Sequence, residues 1–132
     1  SYILDLQVGQ HYRVYVTAGG GCTFSFTNAG WSWEATEAKA LWQGNYSGYF
    51  YVPAGVTEIG FYSHSSTLKL YDGALIQRFV ATAAQEVWTV QVPAGQDGAL
   101  WKFTGANTVF ALYTVPRQLS LSPPLALLPT TL

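Results

Sequence analysis

Gly48-Tyr-Phe-Tyr-Val-Pro-Ala-Gly55 carries the pattern from which the fold class can be predicted. From Tyr49 to Val52, tyrosine alternates with apolar residues, which is the two-residue period of a strand that buries one of its faces. Pro-Ala-Gly then supplies turn chemistry, because proline holds φ at the first corner and glycine accepts a positive φ. The stretch predicts a strand that ends in a tight turn.

The same pattern returns further along the chain, at Gln91-Val-Pro-Ala-Gly95. Each copy follows an aromatic strand pattern and precedes an apolar one. Two copies do not make a repeat protein, but they predict two similar strand-turn-strand corners, one in each half of the domain.

Period-two alternation also marks the other predicted strands, which are separated by Gly, Pro, Asn and Ser. Alternation over 12–17, glycines at 19–21 and alternation over 22–27 predict an N-terminal hairpin. Further strands are predicted at 48–52, 56–62, 68–71, 75–81, 87–92, 99–104 and 108–113. This spacing predicts an all-β chain, an antiparallel two-sheet β-sandwich of the jelly-roll kind.

One segment argues for helix. Residues 34–42 are mostly helix formers, but they lack a strong cap and no glycine follows until Gly44, so we expect at most a short helical turn. The alternative is a strand over 31–35 that runs into a long loop. The Trp-Ser-Trp alternation at 31–33 favours that strand.

The length of 132 residues predicts one domain. We assign residues 1–114 to the β-sandwich and residues 115–132 to a Pro/Leu-rich tail, because prolines at 116, 123, 124 and 129 oppose regular structure. Its leucines are too apolar for a solvated linker. The tail is expected to pack on the sandwich, which we favour, or on a neighbouring domain.

Charge and apolar runs exclude several function classes. Charged residues make up 10% of the chain and the net charge is −1, which disfavours binding to nucleic acid or to an anionic membrane surface. The apolar runs are too short to span a membrane as a helix. The chain has no Met and begins Ser1-Tyr2-Ile3, which predicts a piece of a longer or processed protein. A single cysteine, Cys22, reads as a buried small apolar residue, and the composition predicts a secreted or cell-surface bacterial module.

The sequence contains no recognisable catalytic constellation. A serine or cysteine nucleophile needs a histidine held by a carboxylate, and His11 and His64 are the only histidines. The run from Ser63 to Ser66 that includes His64 is interpreted as a turn. The acidic residues form no recognisable pair for glycoside hydrolysis. We expect no catalytic residue.

Metal and cofactor motifs are also missing from the sequence. There is no His/Cys cluster for zinc, no Asp/Asn run for calcium and no phosphate-binding loop. A structural calcium ion held by backbone carbonyls and one aspartate is compatible with the sequence, but no cofactor is predicted.

Aromatic residues make up 16% of the chain. Those that alternate with aliphatic residues in predicted strands are assigned to the core. A second group crowds a region broken by glycines and is assigned to an exposed patch: Trp31, Trp33, Trp42, Tyr46 and Tyr49. If 31–35 is a strand, the first two tryptophans share a face about 7 Å apart, either as a twin-ring platform or buried together.

Three stretches carry a resemblance to a known family: Gly9-Gln-His-Tyr-Arg-Val-Tyr-Val16, Gly48-Tyr-Phe-Tyr-Val-Pro-Ala-Gly55 and Leu68-Lys-Leu-Tyr-Asp-Gly-Ala-Leu-Ile76. They resemble the bacterial pre-peptidase C-terminal type of β-sandwich, which is similar to the jelly-roll carbohydrate-binding modules of secreted glycoside hydrolases. The resemblance implies a non-catalytic domain appended to a secreted hydrolase. The chain departs from that pattern because it lacks Asp-rich strand ends and carries the aromatic region, and both departures favour sugar over calcium.

The sequence therefore predicts a non-catalytic carbohydrate-binding module of a polysaccharide-degrading enzyme. Flat rings of the patch would stack on the C–H face of a pyranose, while Gln43, Asn45 and Glu34 would bond its hydroxyl edge. The expected partners are a polysaccharide or oligosaccharide and a catalytic domain of the same parent chain. The alternative is a structural or docking domain without a sugar ligand, in which the aromatic rings are buried.

Overall fold

The computed structural model describes residues 5, 7–10, 12–15, 31–36, 45–107 and 109–126, which form an all-β structure. The strands are β1 (Trp33–Glu34), β2 (Asn45–Val52), β3 (Glu58–Ser63), β4 (Lys69–Tyr71), β5 (Gln77–Val80), β6 (Glu86–Gln91), β7 (Ala99–Asn107), β8 (Phe110–Leu112) and β9 (Gln118–Leu119). One 3-10 turn spans Pro123–Leu125. The predicted all-β, antiparallel β-sandwich is confirmed, with no α-helix in these ranges. In the described part of the chain, no helix is long and apolar enough to cross a membrane.

Two antiparallel sheets face each other across the core. One has four strands in the order β2-β7-β4-β5, and the other has three in the order β6-β3-β8. Alternate residues of each strand point inwards, and their rings meet between the sheets. Phe50 of β2 lies 6.0 Å from Phe110 of β8, and Phe61 of β3 lies 5.1 Å from Phe79 of β5, measured between ring centroids. Aromatic burial thus holds the two layers together.

The two Pro-Ala-Gly turns carry the chain from one sheet to the other, between β2 and β3 and between β6 and β7. The proline carbonyl accepts a hydrogen bond from the N–H three residues later, at 3.2 Å for Pro53 and 3.0 Å for Pro93. Proline thus precedes the first corner and alanine occupies it, which corrects the predicted position of proline. Gly55 and Gly95 take positive φ, as predicted. The turns lie side by side, because the N–H of Gly55 donates to the Asp97 carboxylate (2.7 Å).

The strands predicted between 48 and 113 are all present, with ends shifted by a few residues. The largest correction there is at β2, which begins at Asn45 where a broken loop was expected. The structure does not support the first strand of the predicted N-terminal hairpin, because residues 12–15 form no strand. Tyr12 and Tyr15 are exposed. Its second half, 22–27 with Cys22, lies outside the described residues.

The first residues of the tail, 115–120, pack on the sandwich, where Val115, Leu119 and Ser120 are buried. β9 pairs with β1, and the Leu119 side chain is fully buried in the same apolar cluster as Phe50. The next residue, Ser120, bridges to Tyr49 of β2. The segment predicted as either helix or strand contains β1, in line with the strand alternative, while residues 37–44 and 127–132 lie outside the described part.

Candidate functional site

The fold divides the aromatic patch that the sequence predicts. The rings of Trp31 and Trp33 meet edge to face, with centroids 4.8 Å apart and planes at 69°. Trp33 pairs across the strands with Leu119, so its side chain lies on the core side. The flat twin-ring platform is therefore not formed. Glu34, expected at the sugar edge, makes an ion pair with Arg13 at 2.8 Å.

The other predicted patch residues are also separated. Trp42 and Gln43 lie outside the described residues, and Asn45 is exposed at the start of β2. Tyr46 is only 7% exposed, and its ring packs edge to face on Phe103 at 5.7 Å. The expectation that Tyr46 presents an exposed ring is wrong, because the assumed loop is a strand and its even-numbered residues face the core.

The buried position of Tyr46 predicts a loss of stability at alkaline pH. Burial raises the pKa of Tyr46 from 10.0 to about 12, because the ionised phenol is poorly solvated in the core. The neutral phenol contributes fully to the free energy of unfolding below pH 10. As the pH rises towards 12, up to about 2–3 kcal/mol of that free energy is lost. Urea unfolding at a series of alkaline pH values measures this loss. We expect it to shrink in Tyr46→Phe and to persist in the control Tyr62→Phe, so an equal loss in both variants would contradict the role of Tyr46.

Among the described aromatic residues of the predicted patch, Tyr49 is the one that lies on the outer face of the four-stranded sheet. It sits between the buried residues Gly48 and Phe50, so its side chain points away from the core. Its cross-strand partner is Lys102, Lys102 pairs with Tyr71, and Tyr71 pairs with Gln77. We call these four side chains, which follow one another across the sheet, the outer row: Tyr49, Lys102, Tyr71 and Gln77.

The hydrogen bonding of Tyr49 brings the first two members of the outer row together. Its N–H donates to the Ser120 carbonyl at 2.8 Å, and its carbonyl accepts from the Ser120 N–H at 2.9 Å. Because both backbone groups point to Ser120, Tyr49 and Lys102 form a non-hydrogen-bonded pair, in which Cα atoms approach to about 4.5 Å and side chains are closest. Ser120 also covers the edge of β2 that would otherwise be unpaired.

A shallow pocket of about 240 Å³ opens on the same face, lined by Tyr71, Leu75, Lys102 and Thr104. Leu75 is 64% exposed and has a φ of 61°, which residues other than glycine, asparagine and aspartate rarely adopt. That conformation costs about 1–2 kcal/mol. Backbone strain of this kind is concentrated at functional sites. The pocket thus combines a ring, an exposed apolar side chain, an ammonium group and a hydroxyl.

No family model, curated protein or solved structure matches this chain.

Asp72 holds the turn that places Leu75 in the pocket wall. Its fully buried carboxylate accepts hydrogen bonds from the N–H groups of Ala74 (2.9 Å) and Ile76 (3.0 Å) and from Nε of Arg78 (2.6 Å). Burial alone would raise the pKa of Asp72, but the bonds from Ile76, Arg78 and Ala74 outweigh it, so the pKa lies below its ordinary value. The Leu75 N–H also donates to the Asp72 carbonyl at 2.9 Å. Asp72 thus fixes the strained Leu75 through the N–H of Leu75 itself and through the N–H groups of both of its neighbours, Ala74 and Ile76.

Sequence reasoning missed most of this face, although the signal was present. Tyr51 and Tyr71 alternate with the buried residues Val52 and Leu70, so period-two alternation alone assigns both tyrosines to the outside. The pairing of their strands with β7 was not visible, because β7 is distant in sequence from both. Lys102 alternates in the same way with the buried Trp101 and Phe103, but nothing in the sequence placed it beside the two tyrosines.

The described residues assemble no metal-binding cluster. None of their His, Cys, Asp and Glu side chains come together in threes as a metal site would require. In the predicted turn at Ser63, the Ser63 hydroxyl bonds the backbone of Ser65, and His64 Nε2 lies 3.3 Å from Gln85 Nε2. These side chains close a turn.

Proposed function

We propose that this domain binds carbohydrate on the outer face of its four-stranded sheet and catalyses no reaction itself. The observation that carries the proposal is the outer row, in which Tyr49 and Tyr71 flank Lys102 on a sheet face beside a pocket. A pyranose has an apolar face of C–H groups and an edge of hydroxyls. Tyrosine rings offer apolar area and a phenol at low entropic cost, which suits both parts of such a ligand.

The surroundings of the outer row supply the remaining contacts. Tyr51 lies two residues from Tyr49 on the same face, and Thr104 and Gln77 offer a hydroxyl and an amide. Leu75 extends the apolar area at the end of the row. A chain of several sugars laid across the strands would contact rings at two positions and polar groups between them. This arrangement favours a polysaccharide over a single sugar, as expected of a module that accompanies a secreted polysaccharide-degrading enzyme.

Replacing Tyr49 or Tyr71 by alanine is expected to weaken polysaccharide binding at least about tenfold, because a lost ring contact of about 1.5 kcal/mol corresponds to that ratio. Affinity electrophoresis and calorimetry against plant and algal polysaccharides measure the effect. Tyr62→Ala is the matched control, since Tyr62 is a partly exposed tyrosine of the opposite sheet. Far-ultraviolet circular dichroism confirms that each variant is folded.

Trp33→Ala tests whether the polysaccharide binds at the outer face or at the patch that the sequence predicted. Trp33 packs against the core, so its removal is expected to lower stability and to leave the affinity per folded molecule unchanged. If no polysaccharide binds, or if Tyr49→Ala and Tyr71→Ala bind as tightly as the unchanged protein, the proposal fails.

A docking domain without a sugar ligand is the second candidate. Ile76, Val80 and Val87 are exposed by 52%, 42% and 62%, and they lie beside or on β5 and β6, which are edge strands of the two sheets. Exposed apolar groups at a sheet edge favour packing on another domain. A null result with the polysaccharides, together with weaker association with the parent protein in Val80→Ser and Val87→Ser, would favour this function.

A further inference from the structure

We propose that the ligand of the outer face is an acidic polysaccharide, one whose sugars carry carboxylate or sulfate groups. This inference rests on the proposed function and names the class of glycan. It starts from the position of the positive charges. Both lysines of the described residues, Lys69 and Lys102, lie on the outer face of the four-stranded sheet.

The two lysines stand at neighbouring positions of the sheet, next to the tyrosines of the outer row. Lys69 pairs with Thr104, and Lys102 pairs with Tyr71, so the lysines are diagonal neighbours on adjacent antiparallel strands. Such neighbours are separated by about 7–8 Å, within the reach of long side chains. Lys102 stands between Tyr49 and Tyr71 and lines the pocket. A sugar stacked on either ring would therefore have its edge beside an ammonium group.

No carboxylate neutralises this pair in the part of the chain that the structure describes. The ion pairs there join Arg13 to Glu34 and Arg78 to Asp72, and neither includes a lysine. The net charge of the chain is −1. The positive charge of this face is therefore local and does not reflect the charge of the whole chain.

The other acidic groups of the described strands of the two sheets and of the inter-sheet turns are directed elsewhere. Glu58 and Glu86 belong to strands of the opposite sheet, and the Asp97 carboxylate accepts a hydrogen bond from Gly55 at the inter-sheet turns. Two like charges next to each other are unfavourable until an anion lies between them. The outer face therefore selects for an anionic ligand.

A carboxylate or sulfate on the sugar edge would accept charge-assisted hydrogen bonds from Lys102 and Lys69, while the ring face stacks on tyrosine. A neutral sugar leaves both ammonium groups without an anionic partner. Charge and stacking thus act on the same sugar, and this combination distinguishes an acidic polysaccharide from a general polyanion.

The test measures binding of the whole chain to polygalacturonate and to its fully methyl-esterified form, which share a backbone and differ in charge. Alginate and a sulfated galactan extend the carboxylate and sulfate arms, and dextran is the neutral reference. We expect binding to the acidic polymers, weakening at least about tenfold in Lys102→Gln, and a fall in affinity when NaCl is raised from about 20 mM to about 500 mM. Tighter binding of polygalacturonate and alginate would show a preference for carboxylate groups. Tighter binding of the sulfated galactan would show a preference for sulfate groups.

Arg117→Gln is the matched control, because it removes one exposed positive charge that precedes β9 and is not part of the outer row. Equal weakening in Arg117→Gln and Lys102→Gln would mean general attraction of polyanions and would overturn the inference. Binding of dextran or esterified polygalacturonate that depends on Tyr71 but not on Lys102 would overturn it while preserving the proposed function. Absence of binding to every polymer would overturn both.

Discussion

Gly105→Ala is expected to lower the free energy of unfolding by about 2–5 kcal/mol, a large part of the total stability of a domain of this size. Gly105 lies within β7 with a φ of +71°, which costs an alanine about 1–2 kcal/mol. In addition, a Cβ at this position would fall on the backbone carbonyl of Thr67. Forced overlap of this kind typically adds about 1–3 kcal/mol.

The position of Gly105 explains why the chain requires glycine there. The register between β2 and β7 shifts between Tyr46 and Gly48, so β7 carries an extra residue opposite them. The Gly105 carbonyl accepts hydrogen bonds from the hydroxyls of Ser65 (2.7 Å) and Thr67 (2.9 Å). The bulge thus ties the turn that follows β3 to the end of β7.

Gly95→Ala is the matched control for this prediction. Gly95 has a similar φ of +79°, but a Cβ there meets nothing within 4 Å. Its replacement is expected to cost only the backbone term of about 1–2 kcal/mol. Urea unfolding of both variants measures the difference. If Gly95→Ala costs as much as Gly105→Ala, the close approach of Thr67 does not contribute.

Asp72→Ala is expected to cost about 3 kcal/mol at neutral pH. Breaking a buried ion pair by removing one partner costs about 3–5 kcal/mol, and the lower end applies because the Arg78 side chain is 32% exposed and regains water. The N–H groups of Ala74 and Ile76 lose their acceptor as well. The turn that holds Leu75 in the pocket wall is then expected to loosen, so weaker ligand binding should accompany the loss of stability.

The effect of Asp72 is expected to depend on pH. Because the pKa of Asp72 is lowered in the folded protein, its stabilisation is present above its ordinary value and is lost as the pH falls below that value towards the folded one. The difference in stability between the unchanged protein and Asp72→Ala should therefore narrow in acid. Glu58→Gln is the control, since Glu58 is exposed and its carboxylate accepts a hydrogen bond from the Gln91 side-chain amide rather than from a backbone turn. A difference that stays constant from pH 7 down to pH 3 would contradict the role of the carboxylate.

The strands and the candidate site differed in how far the sequence could predict them. From residue 48 onwards the strands follow from local patterns, because a half-buried strand repeats every two residues and its turns need proline, glycine or asparagine. The aromatic patch was predicted from closeness in sequence. Tyr46 and Tyr49 are three residues apart and therefore lie on opposite faces of β2, one in the core and the other outside.

The all-β class, the strands from residue 48 to 113 and the two Pro-Ala-Gly turns follow from the sequence alone, because alternation and turn chemistry act between near neighbours. Which sheets those turns connect, and which outward residues become neighbours, depends on the folded structure. Tyr49, Lys102 and Tyr71 meet because β7 lies between β2 and β4, an order set by packing of the two sheets against a shared core. Cross-strand pairing joins residues far apart in the chain, so the outer row exists only in the folded sheet.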